Sequence, residues 1–233
     1  AKRHPRRDGE RRDSGARALS VRNPRPGPSG APHTEALSNF WISWRARSIA
    51  GIHGALPSTW REVHANQLTA SPHVLRALGI VYFGCDEGDQ VEEQILQRVT
   101  AEGTEPVYRF IGALGRLYPV PRVVASRNDA ETASLLADLR FLPESVAVAS
   151  SPAAAGVYPG SRVCKLRWTE DGPDRLAFET DSPEPAFVVI ADTHFPGWEA
   201  RVDGLELPIH RVNLLLRGLA LPPGRHRVGR WNC

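Results

Sequence analysis

Two ionisable side chains two residues apart, Asp192 and His194, sit in the stretch AFVVIADTHFPGWEARVDG, which runs from Ala186 to Gly204. On a regular strand, residues i and i+2 emerge on one face, which is what an acid/base pair or two ligands of a metal ion would require. A metal needs a third ligand, and the histidines that could supply one, His53 and His210, are distant in sequence. The competing chemistry for Asp192 is local, because a carboxylate beside a turn accepts backbone hydrogen bonds and holds the corner. Trp198 follows a Pro-Gly bend. It reads either as a plug filling the gap where two sheets part or as a platform on which a sugar could stack. His53, in GIHGA, lies between glycines that let a backbone or ligand come close, so it is either a substrate contact or a turn histidine. Arg47 and Arg61 are candidate anion contacts in a chain where surface arginine is common. Ligand-binding candidates are therefore Arg47, His53, Asp192, His194 and Trp198, and no residue is assigned a catalytic or metal-binding role. No Gly-x-Ser-x-Gly elbow, His-Glu-x-x-His pair, phosphate-binding loop or dinucleotide fingerprint is present. No cofactor is expected.

The 233 residues, 41% of them hydrophobic, suffice for one large or two small folded units. The formal charge of +3 is unevenly placed: through Gly30, nine lysines and arginines face Asp8, Glu10 and Asp13, a local +6 that leaves −3 on the remainder. The basicity belongs to the tail, so a folded nucleic-acid-binding face is not expected. Cys85, Cys164 and Cys233 are far apart, odd in number and without zinc-like spacing, which allows at most one internal disulfide. No apolar run approaches the roughly 18–20 residues of a spanning helix, and no segment resembles a secretory signal, so the chain as it stands is expected to be soluble. Methionine is absent even at position 1, which leads to the expectation of a fragment of a longer protein.

The elements that must position these residues follow from pattern. Residues 1–35 mix like charges with Pro and Gly and are expected to form a disordered basic tail. A mixed α/β subdomain is expected over 36–155. There, Ser58 opens a helix through about Leu68, and Ser71-Pro72 opens another that Gly79 ends. GIVYF forms a strand. Val91, Ile95 and Val99, at four-residue steps, predict an amphipathic helix over 89–103. EPVYRFIG, PVPRVVAS and ESVAVAS read as strands, and Asn128 with Glu131 three residues on predicts a capped helix. After SPAAAGVYPGS the pattern is short strands and turns only, which predicts an antiparallel β-sandwich over 156–233. Asp203-Gly204 marks a hairpin within it. The fold class is α+β.

The segment VVIADTHFPGWEARVDGLELPIHRVNLLLRGLALPPGRHRV resembles the extracytoplasmic C-terminal region of bacterial membrane proteins of the YfhO family. The matching residues are Asp192, Thr193, Phe195, Pro196, Gly197, Trp198, Val202, Asp203, Gly204, Asn213, Leu221, Pro222, Gly224 and His226. Upstream, RSIAGIHGA and VLRALGIVYF are similar to stretches of the same proteins, so the resemblance spans about residues 37–231. His194 stands where that family usually has an aromatic residue. The resemblance implies a soluble module on the extracytoplasmic side of a bacterial membrane. Such a module would assist a membrane-embedded part, similar to GT-C glycosyltransferases, in moving sugar from a polyprenyl-phosphate carrier to a cell-envelope polymer. Nothing in the chain matches the acidic loop such enzymes use, so the module is expected to be non-catalytic alone. The alternatives are a free-standing glycan-binding sandwich and a metal-dependent hydrolase built on Asp192 and His194.

Overall fold

The computed structural model describes residues 17–20, 47–48, 58–68, 71–84, 94–102, 106–172 and 175–229. The first sheet comprises β1 (Arg17–Ser20), β2 (Arg47–Ser48), β3 (Ile80–Gly84), β4 (Leu96–Arg98) and β5 (Val107–Phe110), in the order β2-β1-β3-β5-β4. β1 lies inside the segment expected to be a disordered tail: its four residues pair in parallel with β3. The rest of 1–35 lies outside the described residues.

Helices α1 (Ser58–Ala65) and α2 (Pro72–Ala77) stand where the capping and proline signals placed them, although Ser71 makes no side-chain cap bond. Gly79 ends the second turn of chain with a φ of +68°. A Cβ there would come within 2.5 Å of the Gly115 carbonyl oxygen and 2.8 Å of the Ala191 Cβ, so glycine is required by both conformation and space. Of the helix expected over 89–103, the described residues 94–102 form none: Leu96–Arg98 is a strand, paired antiparallel with β5 through Leu96 opposite Phe110 and Arg98 opposite Tyr108. The four-residue spacing of Ile95 and Val99 is incidental. Leu96 enters the core whereas Val99 is half exposed, and pairing with β5 decides the conformation.

Beyond these come β6 (Leu117–Pro119), β7 (Arg122–Ala125), α3 (Asp129–Ala137), β8 (Ala147–Ala149) and β9 (Gly156–Val157). The Asn128 side chain accepts from the Glu131 backbone N–H at 2.8 Å, the expected cap of α3. The Glu131 carboxylate turns to the Arg127 N–H instead of closing the box on Asn128. The remaining strands are β10 (Lys165–Asp171), β11 (Leu176–Ser182), β12 (Ala186–Thr193), β13 (Ala200–Val202), β14 (Leu205–Leu207), β15 (His210–Val212), β16 (Leu216–Leu221) and β17 (Gly224–Gly229).

They complete two further sheets, β10-β11-β17-β13-β14 and β6-β12-β16-β15-β8-β7-β9. The second of these is antiparallel except for β7 and β8, which are parallel and joined through α3, as parallel neighbours require. Strands from both sides of residue 155 pair within it, so the expected boundary does not divide the sheets. Leu176, Phe178, Val202 and Val228 of one sheet pack on Val188, Ile190, Leu219 and Leu221 of the other, forming the sandwich core. The opposite face of β12 presents Phe187, Val189 and Ala191 to a larger core shared with residues of α1, α2 and α3, such as Val63, Leu75 and Leu136. The fold is α+β, with an antiparallel sandwich whose middle sheet is covered on both sides. That is why Ala186–Ala191 is apolar without alternation.

Candidate functional site

β12 runs out of its sheet at Thr193, and its pairing with β16 slips between Ile190 and Thr193. The next turn carries Pro196 and Gly197, the latter at a φ of +95°, which is the sharp corner the Pro-Gly pair predicted. At this end of the sandwich, four charged side chains meet. Ala191 N–H donates to the Arg116 carbonyl at 2.8 Å, fixing the residue just before β6 against β12. From there the Arg116 guanidinium donates one Nη to Asp171, at the end of β10, and the other to Asp192. Arg217, on β16 opposite Ile190, approaches Asp192 at 3.6 Å and donates from Nε to the Thr193 carbonyl at 3.0 Å.

Two tryptophans close over the guanidinium groups. The Arg116 guanidinium carbon lies 5.4 Å from the Trp168 ring centroid, and that of Arg217 lies 3.7 Å from the Trp198 centroid. Trp168 is itself held edge-on to the buried Phe178, at 5.8 Å between centroids. The arginine side chains are 2% and 4% exposed, whereas those of Asp171 and Asp192 are 12% and 21% exposed, so it is the guanidinium groups that are desolvated. A cation over an aromatic face gains most under such conditions, about 2 kcal/mol.

Asp192 therefore faces two guanidinium groups, partners that the expectation of corner-holding backbone bonds did not include. Trp198 is half-buried rather than an enclosed plug. It packs against the rim of the sandwich core and gives its ring face to Arg217, so a sugar would have to compete with a cation for that face. His194 lies past the end of β12, so the regular alternation that would put it beside Asp192 does not extend to it. Its backbone N–H donates to the Leu215 carbonyl at 2.6 Å. Burial first, then the positive charges of Arg211 and Arg217, hold the imidazole below its ordinary pKa of 6.5. Arg211 grips Asp129, at the start of α3, through both Nη atoms at 2.6 and 3.1 Å. Among the described residues, no three His, Cys, Asp or Glu side chains are placed to hold a metal ion.

Of the other candidates, Arg47 belongs to β2 in a different sheet from Asp192, Arg61 is exposed on α1, and His53 lies outside the described residues. Pattern reading missed Arg116, Asp171, Arg217 and Trp168. Only Arg217 carried a usable signal, a lone charge inside the apolar run NLLLRGLAL. Arginine does not exchange protons near neutral pH, and the two carboxylates face guanidinium groups. The arrangement joins the ends of two sheets through ion pairs.

Other residues of the same stretch make similar ties. Asn213, buried at a φ of +49°, accepts from the Val148 N–H at 2.8 Å and donates its own N–H to the Val148 carbonyl at 2.7 Å. This fastens the turn between β15 and β16 to β8. Asp203 and Gly204, at φ of +49° and +89°, form the expected hairpin turn. Comparison with known protein families, curated proteins and solved structures finds no match for this chain. Among the described residues, no helix is long and apolar enough to cross a membrane.

Proposed function

We propose that this chain is an extracytoplasmic module of a YfhO-like polytopic membrane protein. In this reading it assists transfer of sugar from a polyprenyl-phosphate carrier to a cell-envelope polymer and is non-catalytic by itself. The observation that supports the reading is what the residues of the resemblance do. Asp192 joins two buried arginines, Trp198 covers one of them, and Asn213 ties a hairpin to its neighbour strand. A sequence pattern made of such residues describes a scaffold, and a scaffold's partner is the membrane-embedded part that carries the chemistry.

The purified chain, incubated with a polyprenyl-phosphate sugar and candidate envelope polymers, should transfer no sugar. When joined to the membrane-spanning part encoded beside it, the assembled protein should do so. Transfer by the isolated chain would overturn the reading, as would flanking DNA that encodes no hydrophobic segments. Glycan binding by the isolated chain that disappears in Trp198→Ala at unchanged fold would instead favour a free-standing carbohydrate-binding protein.

A further inference from the structure

His226, on β17, has a hydrogen-bond acceptor at each ring nitrogen. Nδ1 is 2.6 Å from a carboxylate oxygen of Asp203, and Nε2 is 3.0 Å from the Pro223 carbonyl oxygen. A neutral imidazole carries one N–H and can donate to only one of them, leaving a lone pair against the other acceptor; the imidazolium donates to both. We propose that His226 is a proton-operated latch, which as imidazolium ties the β13–β14 hairpin to the turn before β17 and lets the hairpin loosen when it is neutral.

The surrounding geometry is built for this contact. Gly224 has a φ of +120°, and a Cβ there would stand 3.1 Å from Nε2, so glycine leaves the space that the ring occupies. The second oxygen of Asp203 accepts from the Arg227 N–H at 2.9 Å, and the Asp203 N–H donates to the Arg227 carbonyl at 3.0 Å. These two bonds seat the aspartate against the ring, and the histidine adds a third tie between the hairpin and β17. The charge facing the ring from the β13–β14 turn is Asp203. From the turn before β17 comes the neutral Pro223 carbonyl, and from β11 the uncharged Thr180, its register partner. Arg225 and Arg227, adjacent on the strand, project to the other face, where Glu179 pairs with Arg225 at 3.7 Å.

The direction of titration agrees. Asp203 first, then the Pro223 carbonyl, raise the His226 pKa above 6.5, and His226 first, then the Arg227 N–H, lower that of Asp203 below 3.8. A raised histidine value means stabilisation that is complete below the ordinary pKa and is lost as pH rises through the folded one. A lowered aspartate value means stabilisation present above its ordinary pKa and lost as pH falls through the folded one. The latch is therefore shut in mildly acidic solution and opens on the alkaline side.

Proton–nitrogen NMR of the intact chain tests this directly. The His226 midpoint should exceed 6.5, with both ring nitrogens protonated below it. Exchange of the Leu205 amide and of the Arg227 amide that donates to Asp203, corrected for intrinsic base catalysis, should quicken across that midpoint. The gain should approach about tenfold for each pH unit by which the midpoint exceeds the ordinary value. Asp203→Asn should lower the midpoint, and His226→Gln should abolish the step. A wild-type midpoint at or below 6.5, or hairpin protection that stays flat across it, would overturn the proposal even if neither variant folds.

Discussion

Arg116 donates to both Asp171 and Asp192 while its side chain is 2% exposed, so its removal would take a guanidinium partner from each carboxylate and leave Asp192 facing Arg217. Losing one partner of a buried ion pair costs about 3–5 kcal/mol. Arg116→Ala should accordingly lower the urea midpoint by a large fraction of the stability of a domain of ordinary size, and an unchanged midpoint would show that water already reaches the cluster. Trp198 deserves a smaller figure than a fully enclosed tryptophan would. Trp198→Ala removes a half-buried ring and its contact with the Arg217 guanidinium, and should cost about 2–3 kcal/mol, from the cation–π term and the apolar surface uncovered. Trp198→Phe should recover part of that loss in the same unfolding experiment, because an aromatic face is restored. At this scale the sequence was only partly legible. The type of Asp192 and its place beside a bend were plain, but its arginine partners come from residues 116 and 217, and no local pattern connects positions so far apart.

At the scale of elements, local signals were reliable where the chain satisfies its own backbone. Asn128 caps α3 through a bond between neighbours in sequence, and Asn128→Ala should cost about 1 kcal/mol, measured by chemical unfolding. Asn213 differs, since its partner Val148 lies on another strand. Asn213→Ala would leave a buried Val148 N–H without its acceptor and should cost about 1–3 kcal/mol, with faster amide exchange at Val148 as the specific sign. Gly218 shows how close packing limits β16: a Cβ there would stand 2.4 Å from the Phe187 ring. Gly218→Ala should therefore destabilise by about 1–3 kcal/mol through overpacking, and a thermal midpoint equal to wild type would mean that Phe187 moves aside freely. The misread segment 89–103 carried an apolar spacing suited to a helix, and the antiparallel partner β5, which no local signal names, made part of it a strand instead.

At the scale of the whole molecule, the middle sheet joins chain segments on both sides of residue 155: β6 pairs with β12, and β8 with β15. Separate fragments 1–155 and 156–233 should consequently fail to fold, each giving the narrow proton NMR dispersion of an unfolded chain; dispersed spectra from both would show that the two parts are independent. Composition, capping residues, Pro-Gly and Asp-Gly turns, and strand-length runs by themselves determined an α+β chain ending in an antiparallel sandwich, because those features act over a few residues. β12, with its unbroken apolar run Ala186–Ala191, is one of those strand-length runs. Only the tertiary structure decided that this strand is covered on two faces, by a sandwich core and by a helical layer, and that one sheet crosses the apparent boundary. It alone brought Arg116, Asp171, Asp192 and Arg217 between two tryptophans. The physical reason is the same in each case: burial and ion pairing depend on which distant strands become neighbours, and that choice is made by the summed packing of the sheets rather than by the residues on either side of a position.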